Sequence, residues 1–102
     1  MAAHGRVGGL GAAKPADAEV QKLCDEVRSE LEKKVGKKFS TFKAETYKTQ
    51  TVSGTNYFIR IKMGDNEYID IRVYEALPQA NKKPELSGYQ CVKTKDSDIE
   101  YF

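Results

Sequence analysis

The sequence predicts an α+β domain in which one N-terminal helix packs across a four- to five-stranded antiparallel sheet. Three observations carry that expectation. An apolar stripe at helical spacing runs through residues 20–35, the pattern changes to two-residue alternation after Gly36, and short turn-forming segments separate the alternating runs. A chain of 102 residues buries one core, so 1–102 reads as a single domain.

Residues 1–16 are small, glycine-rich and aperiodic, and read as a flexible or extended trunk ending at Pro15. Asp17 is the candidate N-cap of the helix, and Glu19 complements the positive helix end. Val20, Leu23, Cys24, Val27, Leu31 and Val35 recur at three- and four-residue steps and form one buried face. Lys33 and Lys34 occupy the last turn, and Gly36 is placed to close it in a left-handed conformation. Glu30 precedes Lys34 by four residues, a supporting pair for the outer face, and Glu26, Glu30 and Glu32 are expected in solvent.

Residues 39–50 read as the first strand. In residues 55–63, Tyr57, Ile59, Ile61 and Met63 face one way and Phe58, Arg60 and Lys62 the other. Gly64-Asp65-Asn66 is a turn. Residues 67–75 alternate again, with Ile69, Ile71 and Val73 toward the helix and Tyr68, Asp70, Arg72 and Tyr74 away from it. The faces turned from the helix, rich in arginine, aspartate and tyrosine, are expected to be solvated. A loop over 77–86 holds Pro78 and Pro84, and a last strand lies near 88–94.

The composition excludes several classes of function. Lys and Arg number 17 against 15 Asp and Glu, a net charge of +2 that leaves no strong footprint for nucleic acid or an anionic membrane. No apolar run reaches the length of a membrane span. The start, Met1-Ala2-Ala3-His4-Gly5-Arg6, lacks the apolar core of a secretory signal, which points to the cytosol. Cys24 and Cys91 lack metal-type spacing and read as free thiols, so neither a metal nor a cofactor is expected. His4 lies in the trunk, where nothing fixes it beside a nucleophile, and no catalytic set emerges. Glycines 8, 9 and 11 follow no strand and fit no phosphate loop. The pairs Lys37-Lys38 and Lys82-Lys83 read as solvation.

What stands out is the tip Gln50-Thr51-Val52-Ser53-Gly54 between two alternating runs. A polar tip carrying Val52 and closed by glycine is badly placed for core packing and well placed to push one apolar side chain into a partner's groove. An ordinary turn would also carry a glycine. The glycine-rich trunk around Val7-Gly8-Gly9 and the turn at Leu77-Pro78 strengthen the first reading, because a trunk and two turns can gather at one edge of such a sheet. The alternative is a binding module of another class, such as a nucleic-acid-binding sheet built on Tyr57, Phe58, Arg60 and Lys62.

These segments, with Gly8-Gly9-Leu10, Ala13-Lys14-Pro15-Ala16, Gln50 to Ile59, Leu77-Pro78, Ser87-Gly88-Tyr89-Gln90 and Tyr101-Phe102, carry a resemblance over residues 7–102. The chain resembles the stefins, or type-1 cystatins, which inhibit papain-like cysteine proteases such as cathepsins. The family's hairpin reads Gln-Val-Val-Ala-Gly; here Thr51 and Ser53 stand at its second and fourth positions. The secreted branch carries a Pro-Trp second loop, and this chain has Leu-Pro and no tryptophan. The resemblance implies a cystatin-like fold and reversible, tight, competitive inhibition without catalysis. It implies a wedge made of Val7, Gly8 and Gly9 from the trunk, Gln50, Thr51, Val52, Ser53 and Gly54 from the first hairpin, and Leu77 and Pro78 from the second loop. It further implies a cytoplasmic monomer able to form a domain-swapped dimer by opening the first hairpin.

Overall fold

The computed structural model describes residues 10–77, 82–92, 98–100 and 102. One helix, α1 (Ala18–Val35), lies across a five-stranded antiparallel sheet. The strands are β1 (Lys14–Pro15), β2 (Lys43–Val52), β3 (Gly54–Gly64), β4 (Glu67–Glu75) and β5 (Glu85–Val92), in spatial order β1-β2-β3-β4-β5. Sequential neighbours therefore pair throughout, β1 with β2 across the intervening helix and the rest through their connecting turns and loop.

The helix is bounded as its ends foretell. The Asp17 carboxylate accepts from the Val20 amide at 2.9 Å, a cap of about 1 kcal/mol. Gly36 adopts φ 84°, and its amide bonds to the Glu32 carbonyl at 2.8 Å. Val20, Cys24, Val27 and Leu31 pack on Ile59, Ile61, Ile69, Ile71 and Val73 to form the core. Burial and the neighbouring Asp25 charge push the Cys24 thiol up to about 12, so it stays neutral.

The segment before β2 departs from the expected strand over 39–50, because pairing begins only at Lys43. The reason lies in helix side chains that claim its backbone groups. The Arg28 guanidinium donates to the Phe39 carbonyl, and Glu32 accepts from the Phe39 amide at 3.1 Å. Gln21 donates to the Phe42 carbonyl at 3.1 Å and accepts from the Ala44 amide at 2.8 Å. Phe39 and Phe42 stack at 5.3 Å, with Arg28 over the Phe42 ring. Glu32 is thus a connector rather than a solvated carboxylate, and the helix's ion pair among the described residues is Arg28–Glu32, not Glu30–Lys34.

The last part of the trunk is the edge of the sheet. Pro15 pairs with Thr46 and Lys14 with Tyr47, and the Gly11 amide reaches the Thr49 carbonyl at 3.0 Å. Proline is tolerated there because an edge strand needs no second set of donors. β5 begins at Glu85, three residues before the expected start, since Glu85 and Leu86 pair with Tyr74 and Val73 beyond a register shift that leaves Ser87 unpaired. The end of the expected strand, residues 93–94, lies outside the described residues.

The face turned away from the helix is not solvated as expected. Phe58, Arg60, Tyr68 and Asp70 are all buried. The cover is the C-terminal segment, laid along one row of the sheet. Lys48, Phe58, Arg72 and Gly88 are register partners in successive strands. Asp98 binds Lys48 at 2.9 Å, the Phe102 ring meets Phe58 edge-on at 5.6 Å, and Arg72 donates to the Phe102 carbonyl at 2.6 Å. Ile99 is buried between them in sequence.

Candidate protease-binding edge

The β2–β3 hairpin turns on a single residue. Val52 pairs with Gly54, leaving Ser53 alone at the tip. Gly54 takes φ 114°, a region L-residues avoid, and a Cβ there would lie 2.5 Å from the Glu75 carbonyl oxygen and 3.1 Å from Cα of Ala76. Glycine therefore serves twice at this position. It permits the turn, and it lets the tip press against the end of β4, where the second loop departs. The Tyr74 hydroxyl reaches across and donates to the Ser53 carbonyl, bracing the tip.

Val52 and Leu77 are the large apolar side chains left exposed among the described residues, at 41% and 44%. Both stand at the same end of the sheet, because Thr55 pairs with Glu75, two residues before Leu77. The trunk joins them there. Its register on β2 runs from Thr46 toward Thr49, so Leu10 lies at the hairpin end. The structure thus brings Thr51, Val52, Ser53, Gly54 and Leu77 into one region. Val7, Gly8, Gly9 and Pro78 lie outside the described residues.

Gln50 differs in role from its neighbours. It is 9% exposed, and its side-chain oxygen accepts from the Asn56 side-chain Nδ2 at 2.8 Å across the hairpin. It shapes the loop from within rather than standing at its surface. The sequence marks neither Asn56 nor Tyr74 as a brace of the tip. Gln50 and Asn56 lie three residues either side of Ser53, a symmetry that a hairpin centred on Ser53 would have revealed.

Behind this edge, a hollow of about 390 Å³ is lined in part by Glu19, Glu26, Glu75, Tyr47 and Tyr57. The Tyr57 hydroxyl donates to Glu75 at 3.2 Å, and burial with that carboxylate pushes the phenol up to about 12. A phenol held protonated in this way supplies no base at neutral pH. Among the described residues no three His, Cys, Asp or Glu side chains converge as a metal set, and no helix is long and apolar enough to cross a membrane. The basic-aromatic face that a nucleic-acid sheet would need is occupied, since Phe58 lies under Phe102 and Arg60 is bound to Asp70.

Residues 8–96 match the Cystatin domain. The chain belongs to the cystatin family, in its stefin branch. It is 48% identical to Cystatin-B of Pan troglodytes over 95 residues, covering 93% of this chain and 97% of the relative. Cystatin-B of Homo sapiens is 47% identical and Cystatin-A of Homo sapiens 43%, each over 95 residues with the same coverage. Cystatins are protease inhibitors rather than enzymes, and a stefin's role is to inhibit cysteine proteases.

Proposed function

We propose that this stefin inhibits papain-like cysteine proteases, cathepsins among them, reversibly and competitively, by seating the hairpin tip, the second loop and the N-terminal trunk in the active-site cleft. The observation that carries this reading is the pairing of exposed Val52 and exposed Leu77 at the sheet end where Leu10 also lies. Full burial of a side chain of this size stabilises by about 1.5–3 kcal/mol, so each retains roughly 1 kcal/mol of burial to be gained in a complex. The brace from Tyr74 and the tight seat of Gly54 hold the tip in place beforehand, which lowers the ordering cost of binding. Val7, Gly8, Gly9 and Pro78 complete the proposed contact set, over a standard-size interface of roughly 1,600 Å². Gly8, without a Cβ, would let the trunk pass close over the catalytic centre.

Titration of papain or a lysosomal cathepsin tests the reading. Inhibition should be relieved by substrate, and the inhibitor should be recovered uncleaved. Absence of inhibition at micromolar protein overturns it. Cytoplasmic residence belongs to the same proposal, as does a monomer that swaps domains when the first hairpin opens. A swapped dimer should lose inhibition while keeping its strand content, because the opened hairpin is part of the wedge.

A further inference from the structure

The basic pair Lys82-Lys83 reads in the sequence as mere solvation, but the fold gives it an address. Both lysines are exposed and stand on one wall of a groove of about 350 Å³, whose other walls include Ser53, Tyr74 and Leu77. The groove therefore opens between the first hairpin tip and the second loop, within the proposed binding edge. Its described carboxylate is Glu85, and no ion pair joins it to either lysine. What sets the two lysines apart is their position, since they share the groove with the hairpin tip and Leu77. Two ammonium groups that form no ion pair among the described residues, beside an exposed leucine, make a charged rim around an apolar anchor.

We infer that Lys82 and Lys83 face carboxylates on the rim of the inhibited protease's cleft and steer the inhibitor toward proteases whose rim there is acidic. The inference rests on the proposed wedge and adds two residues of the second loop beyond Leu77 and Pro78. Rim charges act chiefly on the rate of encounter, and that action weakens with salt, whereas apolar anchors set the rate of departure. The net charge of the whole chain, +2, is too small for strong steering, so the proposed effect is assigned to these local groups.

The test uses the full chain and a lysosomal cathepsin of acidic isoelectric point, with association followed by stopped flow. Two variants of equal net charge are compared: Lys82→Glu/Lys83→Glu at the groove, and Lys33→Glu/Lys37→Glu at the far end of α1. Circular dichroism and thermal melting establish that each is folded. In 50 mM salt the groove variant should associate roughly tenfold more slowly than the parent and the helix variant less than twofold. In 500 mM salt, where the screening length falls to ~4 Å, the groove variant should approach the parent rate. Equal slowing by both variants, or no slowing by the groove variant, overturns the inference while leaving the wedge intact. Failure of the parent chain to inhibit at all removes the wedge itself, and the inference with it.

Discussion

Arg60 and Asp70 meet across the β3–β4 hairpin as a two-pronged ion pair, Nε to Oδ1 and Nη2 to Oδ2 both at 2.8 Å, with the two residues 4% and 1% exposed. A pair so placed gives up hydration on both sides, and its net contribution to stability is small. Breaking it is another matter, because the surviving charge stays buried without its counterpart. Asp70→Ala should cost about 3–5 kcal/mol in urea unfolding. Arg60→Met combined with Asp70→Leu should recover most of that loss. A single-variant cost below about 1 kcal/mol would mean that water reaches the pair.

The seat of Gly54 gives a second expectation. Gly54→Ala must relax both a backbone at φ 114° and a 2.5 Å approach to the Glu75 carbonyl. The variant should lose about 1–3 kcal/mol of stability. It should also lose inhibition by more than that loss explains at temperatures where it remains folded. Unchanged inhibition by folded variant would separate the tip's geometry from binding.

Val52→Asp and Leu77→Asp address the anchors themselves. Both side chains are about two-fifths exposed and lie outside the core cluster, so stability should shift by no more than about 1 kcal/mol. Inhibition constants should rise at least tenfold for each, mainly through faster dissociation. A variant that unfolds more readily yet inhibits equally well would place its residue in the scaffold.

The thiols should differ sharply in reactivity. Cys91 is exposed, whereas Cys24 lies in the core with its thiol pushed up to about 12. At pH 8 an aromatic disulfide reagent should titrate one thiol per native chain and two after denaturation. Rapid reaction of both in the native protein would show that the helix lifts from the sheet on that timescale.

Acid sensitivity should trace in part to Glu32. The Phe39 amide, followed by the Arg28 guanidinium, holds its carboxyl below the usual carboxylate range. A carboxylate lowered in the folded state contributes stability above its unfolded value near ~4.3 and loses that contribution as pH falls through the folded value. Glu32→Gln should therefore lower the melting temperature at pH 7, and the gap to the parent should close as pH falls toward 2. A gap independent of pH would assign the effect to packing alone.

The helix and the faces of β3 and β4 toward it were legible because period and capping act locally. Asp17, Gly36 and the stripe from Val20 to Leu31 each sit where their own chemistry puts them. The buried back face was not legible in the same way, since its cover comes from residues 98–100 and 102, forty residues or more from Phe58 in the chain. Arg60 and Asp70 looked like solvent residues when each strand was read alone. Both lie five residues from Asp65, so the hairpin register could have paired them. The delayed start of β2 had no local signal, because Phe39 and Phe42 fit a strand and lose their backbone partners to Arg28, Glu32 and Gln21. At the candidate edge, glycine and valine announced the tip, but the brace from Tyr74 depends on how the β4 end abuts the hairpin.

The seating of Phe102 against Phe58 and Arg72 settles a practical choice of attachment. A fluorophore, affinity tag or surface tether joined after Phe102 would leave from the middle of the face that looks away from the helix. The carbonyl that Arg72 holds would survive as an ordinary peptide group. The same cargo placed ahead of Leu10 would issue from the sheet end that carries Val52 and Leu77. Immobilisation through the C-terminal side should therefore keep every chain on a sensor surface competent to bind, and N-terminal coupling should silence a large fraction of them.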